Sequence, residues 1–116
     1  MKTVVIANPR AGNGRVGRLW ADYQRNIAGL YGSPQIHLTT APNEATLLAR
    51  QAIHHGAERI VVVGGDGTVN EVINGFFENG QAIGAHVFLA IHSAGTGGDF
   101  ARAIGLPADP LAAAAF

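Results

Sequence analysis

Four short β-branched apolar runs, each followed by a stretch with helical spacing, constrain this chain more than any other feature. The runs lie at residues 3–7, 36–39, 59–63 and 87–91. The first and third are nearly continuous apolar stretches, which mark strands buried on both faces. After the first, apolar residues fall at Val16, Leu19, Trp20, Tyr23, Ile27 and Leu30, and Gly32 is placed to stop the helix. After the second, Asn43 is placed to cap a helix with Ala45, Leu48, Ala49, Ala52 and Ile53 on its buried face, closed by Gly56. The third run leads to a helix predicted over residues 69–78, ending at Asn79-Gly80. The fourth leads to a short helix near residues 99–104, stopped by Gly105 and Pro107, and Asp109-Pro110 opens another. Repeated strand–helix units imply the α/β class: a parallel sheet with right-handed crossovers and helices on both faces, a three-layer αβα sandwich. Run 59–63 is the most apolar and is predicted to be central.

In such sheets ligands sit beyond the carboxyl ends of the strands. That edge is where the glycines cluster, after the first, third and fourth runs. The 116 residues make one domain, residues 1–116. The chain stops inside what reads as a new helix at residues 111–116, so it is expected to be an excerpt of a longer protein. Lysine plus arginine and aspartate plus glutamate each number 8. This balance argues against a nucleic-acid partner and against purely electrostatic docking to a membrane. With no cysteine, disulfide scaffolds, thiolate metal sites and cysteine nucleophiles are excluded. The N-terminus is a poor signal peptide, and a cytoplasmic location is expected.

The strongest chemical signal is Val63-Gly64-Gly65-Asp66-Gly67-Thr68-Val69-Asn70-Glu71-Val72. A buried strand runs into three glycines, a carboxylate and a hydroxyl, and then a helix. Glycines let backbone N–H groups approach an anion, and the helix N-terminus adds partial positive charge. Thr68 can donate to a phosphate oxygen. Asp66, among anion-binding amides, suits a metal, a proton or a ribose hydroxyl. In the first turn, Gly12-x-Gly14-x-x-Gly17 matches the dinucleotide fingerprint. That fold wants an acidic residue after the second strand, where this chain has Thr39-Thr40. A Walker P-loop is excluded, since no Gly-Lys-Ser/Thr occurs. His54 and His55 read as surface residues, Trp20 and Tyr23 as core. His92, at a strand's carboxyl end, is the histidine nearest the predicted site.

The Gly-Gly-Asp-Gly-Thr-x-Asn-Glu-Val stretch resembles the signature of the diacylglycerol kinase catalytic domain family. Its first letters are shared with NAD kinases, and Asn70-Glu71-Val72 favours the lipid-kinase branch. Asn8-Pro9-Arg10-Ala11-Gly12 is similar to that family's opening turn, and Gly95-Thr96-Gly97-Gly98-Asp99-Phe100-Ala101-Arg102 to a later element. Thr40 lies in a third similar segment, with Glu44 where the family has Asp. Gly98 and Ser93 depart from the pattern, standing where Asn and Pro are usual.

The resemblance implies the N-terminal, nucleotide-binding domain of a lipid kinase that uses ATP and Mg2+. Gly64, Gly65, Asp66, Gly67 and Thr68, with Gly95 and Thr96, would cradle phosphates, and Val69 and Asn70 would belong to the same cofactor-binding site. Asn8 and Thr40 would line the nucleoside side, and Asp66 would be the catalytic residue, orienting Mg2+ or the acceptor hydroxyl. A β-rich C-terminal domain would carry the lipid pocket and further acidic residues, leaving the 116-residue chain inactive alone. Peripheral membrane contact and self-association through an exposed apolar patch belong to the same expectation. An NAD-kinase-like ribose kinase and a non-catalytic nucleotide-binding domain are the alternatives.

Overall fold

The run Thr3–Ala7 forms strand β1, and all five of its residues are buried. The computed structural model describes residues 1–93 and the strand at 104–107. After β1 come α1 (Arg15–Arg18), α2 (Trp20–Tyr31), β2 (Gln35–Leu38), α3 (Glu44–His54), β3 (Arg59–Gly64) and α4 (Asp66–Asn74). The short strands β4 (Phe77–Glu78) and β5 (Gln81–Ala82), then β6 (Phe88–Ser93) and β7 (Ile104–Pro107), complete the described order. The main sheet runs β2-β1-β3-β6-β7, parallel except for antiparallel β7. β3 is central, as its composition requires.

The period-two alternation of each strand sorts side chains between two cores. Val4, Ile6, Ile60, Val62 and Leu89 pack with Ala45, Ala49 and Ile53 of α3 and Val72 of α4. Val5, Ala7, Val61, Val63 and Ala90 pack on the opposite face with Val16 of α1 and with Tyr23 and Ile27 of α2. The result is the expected three-layer α/β sandwich. Each fully buried valine or isoleucine contributes about 1.5–3 kcal/mol. Close packing is plain between α3 and the end of α4. A Cβ on Gly75 would lie 2.5 Å from the Thr46 carbonyl oxygen and 2.7 Å from Ala49 Cβ. The Thr46 hydroxyl also donates to the Glu71 carbonyl, at 2.7 Å, so α3 fixes the position of α4.

Three local expectations are corrected. Helix α4 starts at Asp66, not at residue 69, and ends at Asn74; Asn79-Gly80 turns a hairpin between β4 and β5. Asn79 and Gly80 have φ of 53° and 78°. Left-handed conformations at both central residues suit a tight two-residue hairpin turn. The predicted helix near residues 99–104 does not extend to its end, because Ile104 begins an antiparallel edge strand. Gly105 and Pro107 sit in that strand, where proline is tolerated because an edge needs fewer ladder donors. The rest of that segment, and the Asp109-Pro110 helix start, lie outside the described residues. Asn43 has φ 67° and makes no side-chain cap. Instead Glu44 reaches back: its carboxylate accepts from the Thr40 N–H at 3.2 Å and the Thr40 hydroxyl at 2.9 Å.

Chain direction sets where a ligand can enter. β1 leads through α1 and α2 on one face to β2, and β3 leads through α4 on the other face to β6. The two connections leave adjacent strands in opposite directions, opening a crevice between the carboxyl ends of β1 and β3.

Candidate functional site at the carboxyl edge

Both walls of that crevice are built from strand ends. The Asn8 N–H donates to the Val63 carbonyl at 2.9 Å, extending the β1–β3 pairing by one residue. The Asn8 side chain is held at both ends. Its carbonyl accepts from the Arg10 N–H at 3.0 Å, and its amide donates to the Thr68 hydroxyl at 3.2 Å. Beside this pair lies a cleft of about 180 Å³, lined by Asn8, Arg10, Thr39, Thr40, Ala41, Pro42, Ala45, Thr68 and Glu71. Three sequence-predicted residues, Asn8, Thr40 and Thr68, therefore meet in one cavity. Thr40 is oriented by Glu44 and Thr68 by Asn8.

The other predicted residues of the turn are outside the cleft lining: Gly64 ends β3, Gly65 is the N-cap, and Asp66, Gly67, Val69 and Asn70 stand on α4. The first intrahelical bond runs from the Val69 N–H to the Gly65 carbonyl, at 3.0 Å. The N–H groups of Asp66, Gly67 and Thr68 precede it and have no intrahelical acceptor. Asp66, Gly67 and Asn70 are exposed, Gly65 and Val69 half-buried. The three glycines differ in what they do. A Cβ on Gly64 would come within 2.7 Å of Thr68 Cβ, so its bare Cα lets Thr68 tuck beneath the strand end. Cβ atoms on Gly65 and Gly67 would meet nothing within 4 Å, and neither residue has a left-handed φ. Among the described residues, no packing contact requires glycine at either position. Gly95 and Thr96 lie outside the described residues.

The fingerprint-like glycines of the first turn are used internally. Gly14 has φ 84°, and the N–H groups of Gly14, Arg15 and Gly17 donate to the carbonyls of Arg10, Gly12 and Pro9. That turn uses its amides for its own closure, whereas the α4 turn leaves three facing outward.

Sequence reasoning does not find Arg10, Thr39 and Glu71 as lining residues. Glu71 follows Thr68 by three on α4, so helical spacing alone puts both on one side. Thr39 reads in the sequence as the end of the second strand, but β2 ends at Leu38 and Thr39 is buried in the cleft wall, its N–H bonded to the Ala7 carbonyl. Arg10 and Glu71 make no ion pair among the described residues. A cation and an anion thus line the cavity, a match for a ligand with an acidic end and hydrogen-bond donors.

His92 does not face this site. It is fully buried on the α2 side of the sheet, joined to the Tyr31 hydroxyl by a 2.7 Å hydrogen bond. Burial lowers its pKa from the ordinary 6.5 to about 4. His54 is exposed and pairs with Glu78 at 2.9 Å. No group of three potential metal ligands occurs among the described residues. None of the described helices is long and apolar enough to cross a membrane.

Comparison with known proteins places this architecture. Residues 2–115 match the diacylglycerol kinase catalytic domain. The chain is 32% identical over 111 residues to a diacylglycerol kinase of Bacillus subtilis, covering 96% of this chain and 35% of that protein. It is 30% identical to a diacylglycerol kinase of Staphylococcus carnosus, covering 94% and 34% respectively. A crystal structure of a Bacillus anthracis diacylglycerol kinase superposes with a TM-score of 0.65 at 31% identity, covering 87% of this chain and 35% of that one. The chain spans about a third of the length of the curated relatives it matches. With residues 2–115 matched and its fold shared with solved relatives, the chain belongs to the diacylglycerol kinase catalytic domain family.

Proposed function

We propose that this chain is the nucleotide-binding part of a lipid kinase, which moves the γ-phosphate of ATP onto a lipid hydroxyl. One observation carries the reading: Gly65 and Gly67 flank outward-facing amides at the start of α4, with open space where side chains would stand. Gly65 is the N-cap, a position glycine suits, whereas Gly67 stands inside the first turn, where glycine costs up to about 1 kcal/mol relative to alanine. No packing contact among the described residues offsets that cost at Gly67, whereas an approaching phosphate would.

Phosphoryl transfer asks a protein mainly to position phosphates and neutralise charge. In this reading the amides of Asp66, Gly67 and Thr68 take phosphate oxygens at the helix N-terminus. The Thr68 oxygen accepts from Asn8, which leaves its proton to donate to phosphate. Arg10 supplies positive charge at the cleft mouth. Asn8 and Thr40 line the nucleoside side, and Glu71 accepts from nucleoside hydroxyl or amino groups. Gly95 and Thr96 are assigned a second phosphate contact by the family motif. Asp66 fits Mg2+, which is held by one or two carboxylates together with substrate phosphates. Mg2+ would supply charge neutralisation for the transfer, and Asp66 would fix its place or orient the acceptor hydroxyl. The lipid pocket and the acid–base group belong, in this reading, to the additional length of the relatives. The lipid acceptor brings the whole protein to a membrane surface.

The test is Asp66→Asn in the full-length protein, assayed by transfer of labelled γ-phosphate to diacylglycerol in mixed micelles with Mg2+. Turnover should fall by orders of magnitude while Mg-ATP affinity changes far less. Unchanged turnover would make Asp66 a helix-start carboxylate and nothing more.

A further inference from the structure

An imidazole sits within an otherwise apolar layer on the α2 face of the sheet. His92 is fully buried on the face that holds Val61, Val63, Ala7 and Ile27. A polar group in such a layer costs free energy unless it is hydrogen-bonded. Its bond to the Tyr31 hydroxyl is directional, and the two rings meet edge to face, at 76° with centroids 5.7 Å apart. Tyr31 is held in turn. The Arg59 guanidinium lies 4.6 Å over its ring, and Arg59 Nε donates to the Thr3 hydroxyl at 3.0 Å. A polar seam therefore runs from the start of β1 and β3, through the last residue of α2, to the end of β6.

The position of that end matters. His92 pairs in register with Val63, and Ser93 with Gly64. Val63 is the residue whose carbonyl receives the Asn8 N–H, and Gly64 is the residue whose bare Cα admits Thr68. Whatever fixes the height of His92 along the sheet fixes the strand end from which the α4 turn departs. The β3–β6 ladder sets the register, and the directional side-chain bond adds a constraint at its carboxyl end that apolar packing does not supply.

We infer that His92 and Tyr31 are a positioning pair, which locks the carboxyl end of β6 against β3 and so holds the residue 64–68 turn in its ligand-ready place. This rests on reading that turn as the nucleotide site. The inference separates affinity from stability. Replacing both partners of a buried hydrogen bond by apolar groups of similar shape is often neutral or stabilising.

The test is the double variant His92→Leu, Tyr31→Phe of the 116-residue chain. Three readouts are taken: thermal midpoint, Mg-ATP affinity by calorimetry, and amide hydrogen exchange of the unliganded protein at Val63, Gly64 and Gly65. The expected result is a midpoint held or raised, an affinity about five- to twentyfold weaker, and faster exchange at those three amides. Affinity and exchange both unchanged would overturn the inference, as would affinity and midpoint falling together, which describes a plain structural contact. If the unaltered chain binds no Mg-ATP, the nucleotide reading fails by itself. Exchange then decides the pair: faster upholds it, unchanged overturns it.

Discussion

Asn8 and Thr68, sixty positions apart in the chain, share a 3.2 Å hydrogen bond that ties the loop after β1 to the first turn of α4. The bond spans the crevice where the two crossover connections part. Its donor is itself fixed by the Arg10 N–H, so the site's two walls are joined through three residues. Thr68→Val keeps the shape and removes the acceptor. It should cost about 1 kcal/mol of stability, the usual worth of one hydrogen bond. Mg-ATP affinity should fall roughly tenfold, equivalent to about 1.4 kcal/mol. Thr68→Ser should restore most of both, as read by thermal denaturation and calorimetric titration.

The glycines of the turn should respond in opposite ways. Gly64→Ala places a Cβ against Thr68 and should destabilise by about 1–3 kcal/mol, the range for overpacking. Gly67→Ala meets nothing in the protein and should stabilise by roughly 0.4–1 kcal/mol, through a stiffer unfolded chain. The same alanine should weaken Mg-ATP binding, because its methyl occupies the space a phosphate needs. Denaturant titration of both variants beside calorimetry tests the pair of signs.

Acid should unfold the protein partly through His92. Burial lowers its pKa to about 4 in the folded state, against 6.5 when exposed. The unfolded chain therefore binds this proton first as pH falls. The stabilisation is fully present above about 6.5 and is lost between there and about 4, with a slope near 1.4 kcal/mol per pH unit and a total of roughly 3 kcal/mol. The His92→Leu, Tyr31→Phe variant should lack this component. The difference between the two stability–pH curves, from chemical denaturation at pH 4 to 8, isolates it from the carboxylates common to both.

Much of the fold is legible in the sequence because β1 and β3 are buried on both faces. Residues 4–7 and 60–63 read as apolar without interruption, and the helices carry the 3.6-residue period. Asn8, Thr40 and Thr68 are legible as site residues through motif resemblance, and the fold brings them into one cleft. Sequence pattern misleads where one residue's conformation decides the outcome. Asn79-Gly80 reads equally as a helix stop or a hairpin turn, and Asn43 as a cap or a left-handed corner. Glu71 and Arg10 escape a sequence reading because their place depends on how α4 and the first loop face each other across the sheet. That relation comes from strand order, which a one-dimensional pattern does not carry. The role of His92 is hidden for the same reason: its partner, Tyr31, is 61 residues away on another layer.

The central claim, that the carboxyl edge binds nucleotide, is tested most directly by titrating Mg-ATP into the isotopically labelled 116-residue chain and following backbone amide resonances. The account predicts saturable shifts concentrated at Asn8, Thr40, Gly65, Asp66, Gly67 and Thr68, with little change at the opposite edge. That edge holds a second groove of about 230 Å³, lined by residues including Lys2, His37 and His55. Shifts confined to that groove, or none at millimolar Mg-ATP, would contradict it.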